Sequence, residues 1–546
     1  MRLQWQQPAK LPDPAPYKEA TMPRTRLLRG AALLGVAALA LTTAACTITP
    51  SAKSNSLGAD SVLVAADNGS PTFQQIFSPF SASKRIGSNF VYEPLEVVNS
   101  LDGKETPFLA TGYKIVDTST VDFTIRDGVK WSDGTAFTPD DVAYTFQLIK
   151  DTPALDTRGV WQELESVKVD GSTVRFTLKQ PDATAARLIE QQLIVPKHIW
   201  SGIKDPATYT DPKPVGTGPY VEGDFTKNQY TMVKNTKYWQ ADKVAMDKLV
   251  FPAANTQIDL VKKGYDWGYG YISDVKNTWV AADKAHNTYW FPPGGVIALY
   301  PNLTKAPFTN ADFRLGLSAS LDRDSIADSA VEGYVSGAVQ TGLLLPNMKA
   351  WTDPDIPNQG IVKQDKDAAL KHFEAAGYTE KDGKLVDSTG KQLTVNITTA
   401  NGYTDWLRAV QAVQKQLGAV GIAVNIQQPQ PAAYTQALQT GDFDLSMGTF
   451  GGSGFIYDDF NTLLGSSFAK PIGTATTGNY ERFSSPAVDS LLAKLKVSTD
   501  KAEQQDIANQ LQQVMYKQAP AIAMYYGGLW GLYSDAKFTG WPSAKD

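Results

Sequence analysis

The chain has one cysteine and three histidines in 546 residues, and each scarcity excludes something. A single thiol, Cys46, cannot form an intrachain disulfide, so stability must come from buried apolar surface. His198, His286 and His372 stand far apart and none has a partner at metal-ligand spacing, which removes the familiar zinc patterns. No run of lysine or arginine forms a basic stripe, and the formal charge of -5 argues against a nucleic-acid binder. There is no serine flanked by glycines as in a nucleophile elbow and no glycine-rich loop ending in Lys-Ser/Thr. The segment VGTGPY at 215–220 has two glycines, but Pro219 follows them, and it reads as a turn. Asp140/Asp141 and Asp458/Asp459 are adjacent pairs; a glycosidase needs acids that face each other across a sugar, which adjacency does not provide. The chain therefore reads as a non-enzyme with no cofactor.

Long apolar runs are also scarce. The prominent one, residues 30–45, follows the basic stretch MPRTRLLR at 22–29 and ends in Ala44-Ala45 before Cys46. A positive start, an apolar middle and small residues before a cut are the parts of a secretory signal. Sixteen positions fall short of the roughly 20 that a spanning helix needs. A signal ending at once in cysteine is what lipid attachment requires, so Cys46 is the expected lipidation site, although Thr43 stands where such signals carry leucine. Residues 1–21 resemble no signal, and Met22 is the expected start. These readings divide the beginning into an upstream extension (1–21), a lipoprotein signal (22–45) and a polar linker (46–60).

Cleavage before Cys46 leaves too long a chain for one core, so several lobes are expected. The run SVLVAA at 61–66 reads as a buried strand turning at Asp67, Asn68 and Gly69. Alternation over 121–126 predicts a strand, and Asp127-Gly128 a hairpin turn into 129–131. Thr138, Pro139, Asp140 and Asp141 have the order of a helix start: cap, proline and two carboxylates at the positive end. Helices are predicted over 365–376, 405–417, 432–439, 486–496 and 501–518. Strands are predicted over 393–398, 422–426, 442–445 and 521–526. The alternation over 393–445 signals an α/β lobe with a largely parallel sheet.

Residues 123–146, FTIRDGVKWSDGTAFTPDDVAYTF, strongly resemble the signature of the family 5 solute-binding proteins of bacterial ABC importers. The likeness continues in YEPL at 92–95, PFLA at 107–110, GTGPY at 216–220, PFTNADFR at 307–314 with LDR at 321–323, and YERFSSP at 480–486. The resemblance implies a large bilobal α/β fold of the periplasmic-binding-protein kind (type II, cluster C), with three regions around a hinge. Domain I would comprise 61–94, 215–295 and 519–546, domain II 95–214, and domain III 296–518. It also implies capture of an oligopeptide or oligosaccharide by lobe closure and delivery to permease subunits by a monomer tethered outside the cell membrane. A secreted hydrolase and a non-transport surface lipoprotein are the alternatives.

Peptide binders of this family carry Gly-Trp and, a few residues on, an aspartate for the peptide amine. Here the stretch is GTFGGSGFIYDDF at 448–460: Thr449 stands at the tryptophan position, and the aspartate position falls near Gly452 or Ser453. Asp458 or Asp459 would substitute if the loop were shifted. The segments YWFPPGG at 289–295 and LYPNLT at 299–304 resemble the oligosaccharide-binding branch. Sugars stack on flat rings and accept hydrogen bonds without a charged anchor. The candidate ligand-binding residues are Asn68, Trp267, Tyr271, Trp406, Phe450, Phe455, Asp458 and Asp459.

Overall fold

A computed structural model of the chain describes residues 62–67, 72–254 and 264–543. Cys46, Asn68 and the expected signal and linker lie outside the described residues.

Two four-stranded sheets share one hydrophobic core. In the first, Val62–Val64 runs parallel to Lys248–Pro252, and Gln229–Lys234 and Tyr220–Thr226 follow antiparallel. The second is antiparallel throughout: Ala110–Asp117, Thr120–Ile125, Thr173–Leu178 and Leu164–Asp170. Phe77, Tyr92, Phe123, Trp131, Phe176 and Tyr230 are buried in the core between them. Helix Pro139–Asp151 begins as its sequence requires: the Asp141 carboxylate accepts from the Thr138 backbone N–H at 2.9 Å. A short hairpin, Glu96–Val98 with Glu105–Pro107, projects from this half. The expected hairpin at Asp127-Gly128 does not form. Strand Thr120–Ile125 already has Ala110–Asp117 and Thr173–Leu178 on its two edges, so residues 129–131 find no edge and make only the isolated Lys130–Ala136 bridge.

The other half is built on a five-stranded sheet in the order Ala423–Gln427, Thr394–Thr398, Leu445–Phe450, Pro293–Pro301, Ile522–Gly528. The first three are parallel, as the alternation over 393–445 predicts. Two antiparallel strands from distant parts of the chain complete the sheet, which is therefore mixed. Along Pro293–Pro301, Ile297 and Leu299 enter one core while Val296, Ala298 and Tyr300 enter another, so both faces are covered and the strand reads as an unbroken apolar run. Strand Leu445–Phe450 begins where the sequence predicts its end, because the Asp444 carboxylate and the neighbouring carbonyls at 441 and 443 serve Asn302, Lys305 and Asn396 instead of a ladder.

A three-stranded antiparallel sheet, Trp267–Tyr269, Gly531–Ser534 and Asn287–Trp290, lies between the halves in sequence and has its own small core. Among the described residues, no helix is long and apolar enough to cross a membrane.

Two glycines give opposite expectations. A Cβ at Gly216 would strike the Val91 backbone carbonyl, whereas one at Gly418, in helix Thr404–Ala419, would meet nothing within 4 Å. Gly216→Ala is expected to destabilise by about 1–3 kcal/mol, and Gly418→Ala to stabilise by about 0.5–1 kcal/mol. Urea denaturation of each variant checks both signs.

Candidate functional site

Strand Leu445–Phe450 leaves the mixed sheet into a glycine-rich loop, residues 451–454, and the chain then enters helix Ile456–Leu464. The loop is wedged between two neighbours. A Cβ at Gly452 would collide with the carbonyl of Gly294, and one at Gly103 would lie 2.5 Å from the carbonyl of Gly454. Gly103 is at the tip of the hairpin projecting from the other half, and both Gly103 and Gly454 have positive φ, +70° and +81°. Only glycine serves at this crossing: any side chain would hold the two backbones apart.

Phe450, Phe455, Asp458 and Asp459 are brought together around this loop. Phe455 is buried, and the Arg187 guanidinium, from helix Ala185–Glu190 in the other half, lies 3.3 Å from its ring centroid. This is a cation–π contact across the two halves. Asp459 is buried and braces the loop, accepting from the Ser453 N–H at 3.0 Å through Oδ1. Its Oδ2 has no partner, and burial pushes its carboxyl above the usual range. The Asp458 carboxyl is pushed up to about 6, mainly by burial, while Arg187 opposes the shift and Asp459 adds to it. Nearby, the Ala183 N–H donates to the Lys496 carbonyl at 2.9 Å, and Lys496 Nζ lies 3.3 Å from both Glu163 and Asp182.

The other predicted residues are elsewhere. Tyr271 packs edge-on to Trp530, with centroids 5.1 Å apart; its hydroxyl donates to Glu332 and accepts from Arg408, each at 3.1 Å. This is a second set of contacts with the sheet-bearing half, distant in sequence from the glycine loop. Trp267 is half-buried in the three-stranded sheet against the first core. Trp406 packs between Tyr403 and Tyr434 against the two cores flanking the mixed sheet. Sequence reasoning missed Arg187, Arg158 and Lys496. The available signal for Arg187 was a charged pair, Arg187 and Glu190, in an otherwise apolar helix turn.

Two cavities are each lined in part by Arg187 and Asp458. One, of about 190 Å³, is lined by Asp102, Gly103, Gly454 and Phe455; the other, of about 260 Å³, by Arg158, Glu163, Asp182 and Lys496. Both are smaller than the roughly 300–1,000 Å³ of ordinary ligand pockets. A cavity of about 780 Å³, lined by Arg323, Lys349, Lys363 and Tyr526 among others, draws no residue from the first core's half.

The fold has known counterparts. The family described as bacterial extracellular solute-binding proteins, family 5 Middle, matches residues 104–471, well over half of the chain. The periplasmic murein peptide-binding protein of Escherichia coli is 25% identical over 452 residues, covering 78% of this chain and 80% of that protein. The oligopeptide-binding protein AppA of Bacillus subtilis is 24% identical and covers 85% and 86%. A crystal structure of the periplasmic oligopeptide-binding protein of an oligopeptide ABC transporter from Thermotoga maritima has a TM-score of 0.82 at 26% identity, covering 89% of this chain and 95% of that one. The same protein with mannohexaose bound has a TM-score of 0.73. The chain belongs to the family 5 extracellular solute-binding proteins. It has their bilobal α/β fold and is the substrate-binding component of an ABC transporter, not an enzyme.

The raised Asp458 pKa gives a signed prediction. The folded protein prefers the protonated form, so stability falls as pH climbs from the unshifted 3.8 through about 6. Asp458→Asn stays neutral and avoids this loss, by at most about 3 kcal/mol. The variant is expected to melt with wild type at pH 4 and above it at pH 8. A lower melting temperature at pH 8 would mean that the charged carboxylate is a net stabilising partner of Arg187.

Proposed function

We propose that the chain captures a neutral oligosaccharide between its lobes and delivers it to ABC permease subunits while tethered through a lipid on Cys46. The observation carrying this reading is how the carboxylates near the expected amine anchor are used. Asp459 Oδ1 is engaged by Ser453, and Asp458 stands beside Arg187 and Arg158. An ammonium trapped in a closed cleft needs a free anionic partner; a sugar needs only rings and neutral hydrogen-bonding groups. The likeness to a protein whose structure holds mannohexaose supports the same choice. Tyr271 and Trp530 are the rings at the second set of interlobe contacts and are the proposed platforms; Phe450, expected from the sequence as a ligand contact, is instead buried in the core on one face of the mixed sheet. Asn68, outside the described residues, is kept from the sequence as a further proposed polar contact.

The small cavities support a closing mechanism. A chain of sugars does not fit in about 200 Å³, so the lobes must part to admit one. Ligand then favours the closed state only by what its contacts differ between open and closed forms. The proposed lobes are domain I (61–94, 215–295, 519–546) with domain II (95–214), closing on domain III (296–518) in a monomer.

One observation favours a second reading. Asp459 Oδ2 is buried without a partner and lies close to Gly451, where a peptide amine could find it. The peptide-binding relatives agree with that alternative.

Thermal melting of the chain lacking its signal separates the two. Manno- and cello-oligosaccharides are expected to raise the melting temperature with the logarithm of concentration, by about 2.7 kcal/mol of stabilisation at a hundredfold excess over Kd. Shifts with free-amine peptides alone, abolished by N-acetylation or Asp459→Asn, would transfer the assignment to peptides. For the tether, Cys46→Ala is expected to move the protein from the membrane fraction to the medium; unchanged fractionation contradicts it.

A further inference from the structure

Two glutamates on the hairpin that carries Gly103 meet a third from a separate helix. Glu96 and Glu105 stand on the hairpin's two strands and Glu190 at the end of helix Ala185–Glu190, and one carboxylate oxygen from each lies within 4.8 Å of the others. Glu190 is 0% exposed and neither of its carboxylate oxygens has a hydrogen-bond partner; Glu96 is 3% exposed and its Oε1 has none. Glu105 is half-buried, with the Tyr113 hydroxyl donating to its Oε2 at 3.2 Å. Buried carboxylates without partners are costly, and three together are more so. Burial first and like charge second push Glu96 to about 7 and Glu190 to about 8.

The nearby cations do not resolve the deficit. Arg187 turns its guanidinium onto the Phe455 ring, and its Nη1 is itself buried without a partner. Arg158 is close enough to be felt by Glu190, yet makes no hydrogen bond with it. The two cavities beside Arg187 are lined without any of the three glutamates, so the cluster is separate from them.

We propose that Glu96, Glu105 and Glu190 form a binding site for a hard divalent cation, calcium in the first place. Oxygen-only donors suit calcium, magnesium or manganese and disfavour softer metals. Bonds of about 2.4 Å reach ligands up to about 4.8 Å apart and tolerate irregular carboxylate geometry, whereas magnesium demands a near-ideal octahedron at about 2.1 Å. Glu105 is the one member of the three that keeps part of its surface exposed, and water or backbone carbonyls would complete the coordination. The ion would brace both elements that reach the opposite lobe: the hairpin through Gly103 and the helix through Arg187. The three glutamates have no metal-motif spacing, so no sequence pattern marks them.

The test uses the mature chain stripped with chelator and dialysed. Equilibrium dialysis with radiolabelled calcium is expected to show one ion per chain, and the melting temperature should rise linearly with the logarithm of free calcium above Kd, with a weaker response to magnesium. Glu190→Gln and Glu105→Gln, checked for native circular dichroism, should lose both the bound ion and the slope. No bound ion and no melting response to calcium, magnesium or manganese would overturn the site. So would an undiminished response in Glu190→Gln. Gln variants that melt above wild type while wild type ignores calcium would show that shared protons, rather than a cation, relieve the cluster.

Discussion

The backbone crossing of Gly103 and Gly454 is the constraint on which the arrangement of the two lobes depends. One glycine tips a hairpin of the first half, and the other ends the loop that leaves the mixed sheet. With no side chain between them, the hairpin and loop touch directly. That contact brings Arg187 within reach of Phe455 and the Ala183 N–H within reach of Lys496. Each such contact is modest, a cation–π pair being worth about 0.5–2 kcal/mol and a hydrogen bond about 1 kcal/mol. A few together suit an interface that must open and close, since a stronger one would hold the lobes shut without ligand.

The same crossing explains the unusual density of buried charge around it. Closing one half on the other removes water from Asp458 and Asp459 while Arg187 and Arg158 lose solvent too. The electrostatics of the site are therefore coupled to lobe position. Tyr271, Glu332 and Arg408 make a second set of polar contacts beside Trp530.

Much of the fold was legible from local pattern. Helices over 365–376, 405–417 and 501–518 formed close to their expected bounds because apolar periodicity and end residues agreed. The run at 296–301 was harder to place, because a strand buried on both faces has no alternation to read. The hairpin expected at Asp127-Gly128 failed because turn chemistry says nothing about which sheet edges are free. Around the site, Phe450, Phe455, Asp458 and Asp459 lie in one stretch of sequence and could be found from it. Arg187, Gly103 and the three glutamates could not, since their importance arises only when separate segments of the chain meet.

The central claim is that ligand closes the lobes onto the glycine crossing, and small-angle X-ray scattering tests it most directly when wild type is compared with Gly103→Val. Wild type is expected to contract when a saturating ligand from the melting screen is added, whereas Gly103→Val, with a branched side chain against the Gly454 carbonyl, should keep the larger radius of gyration. Equal contraction in both proteins, or no contraction of wild type with a ligand that raises its melting temperature, would contradict the account.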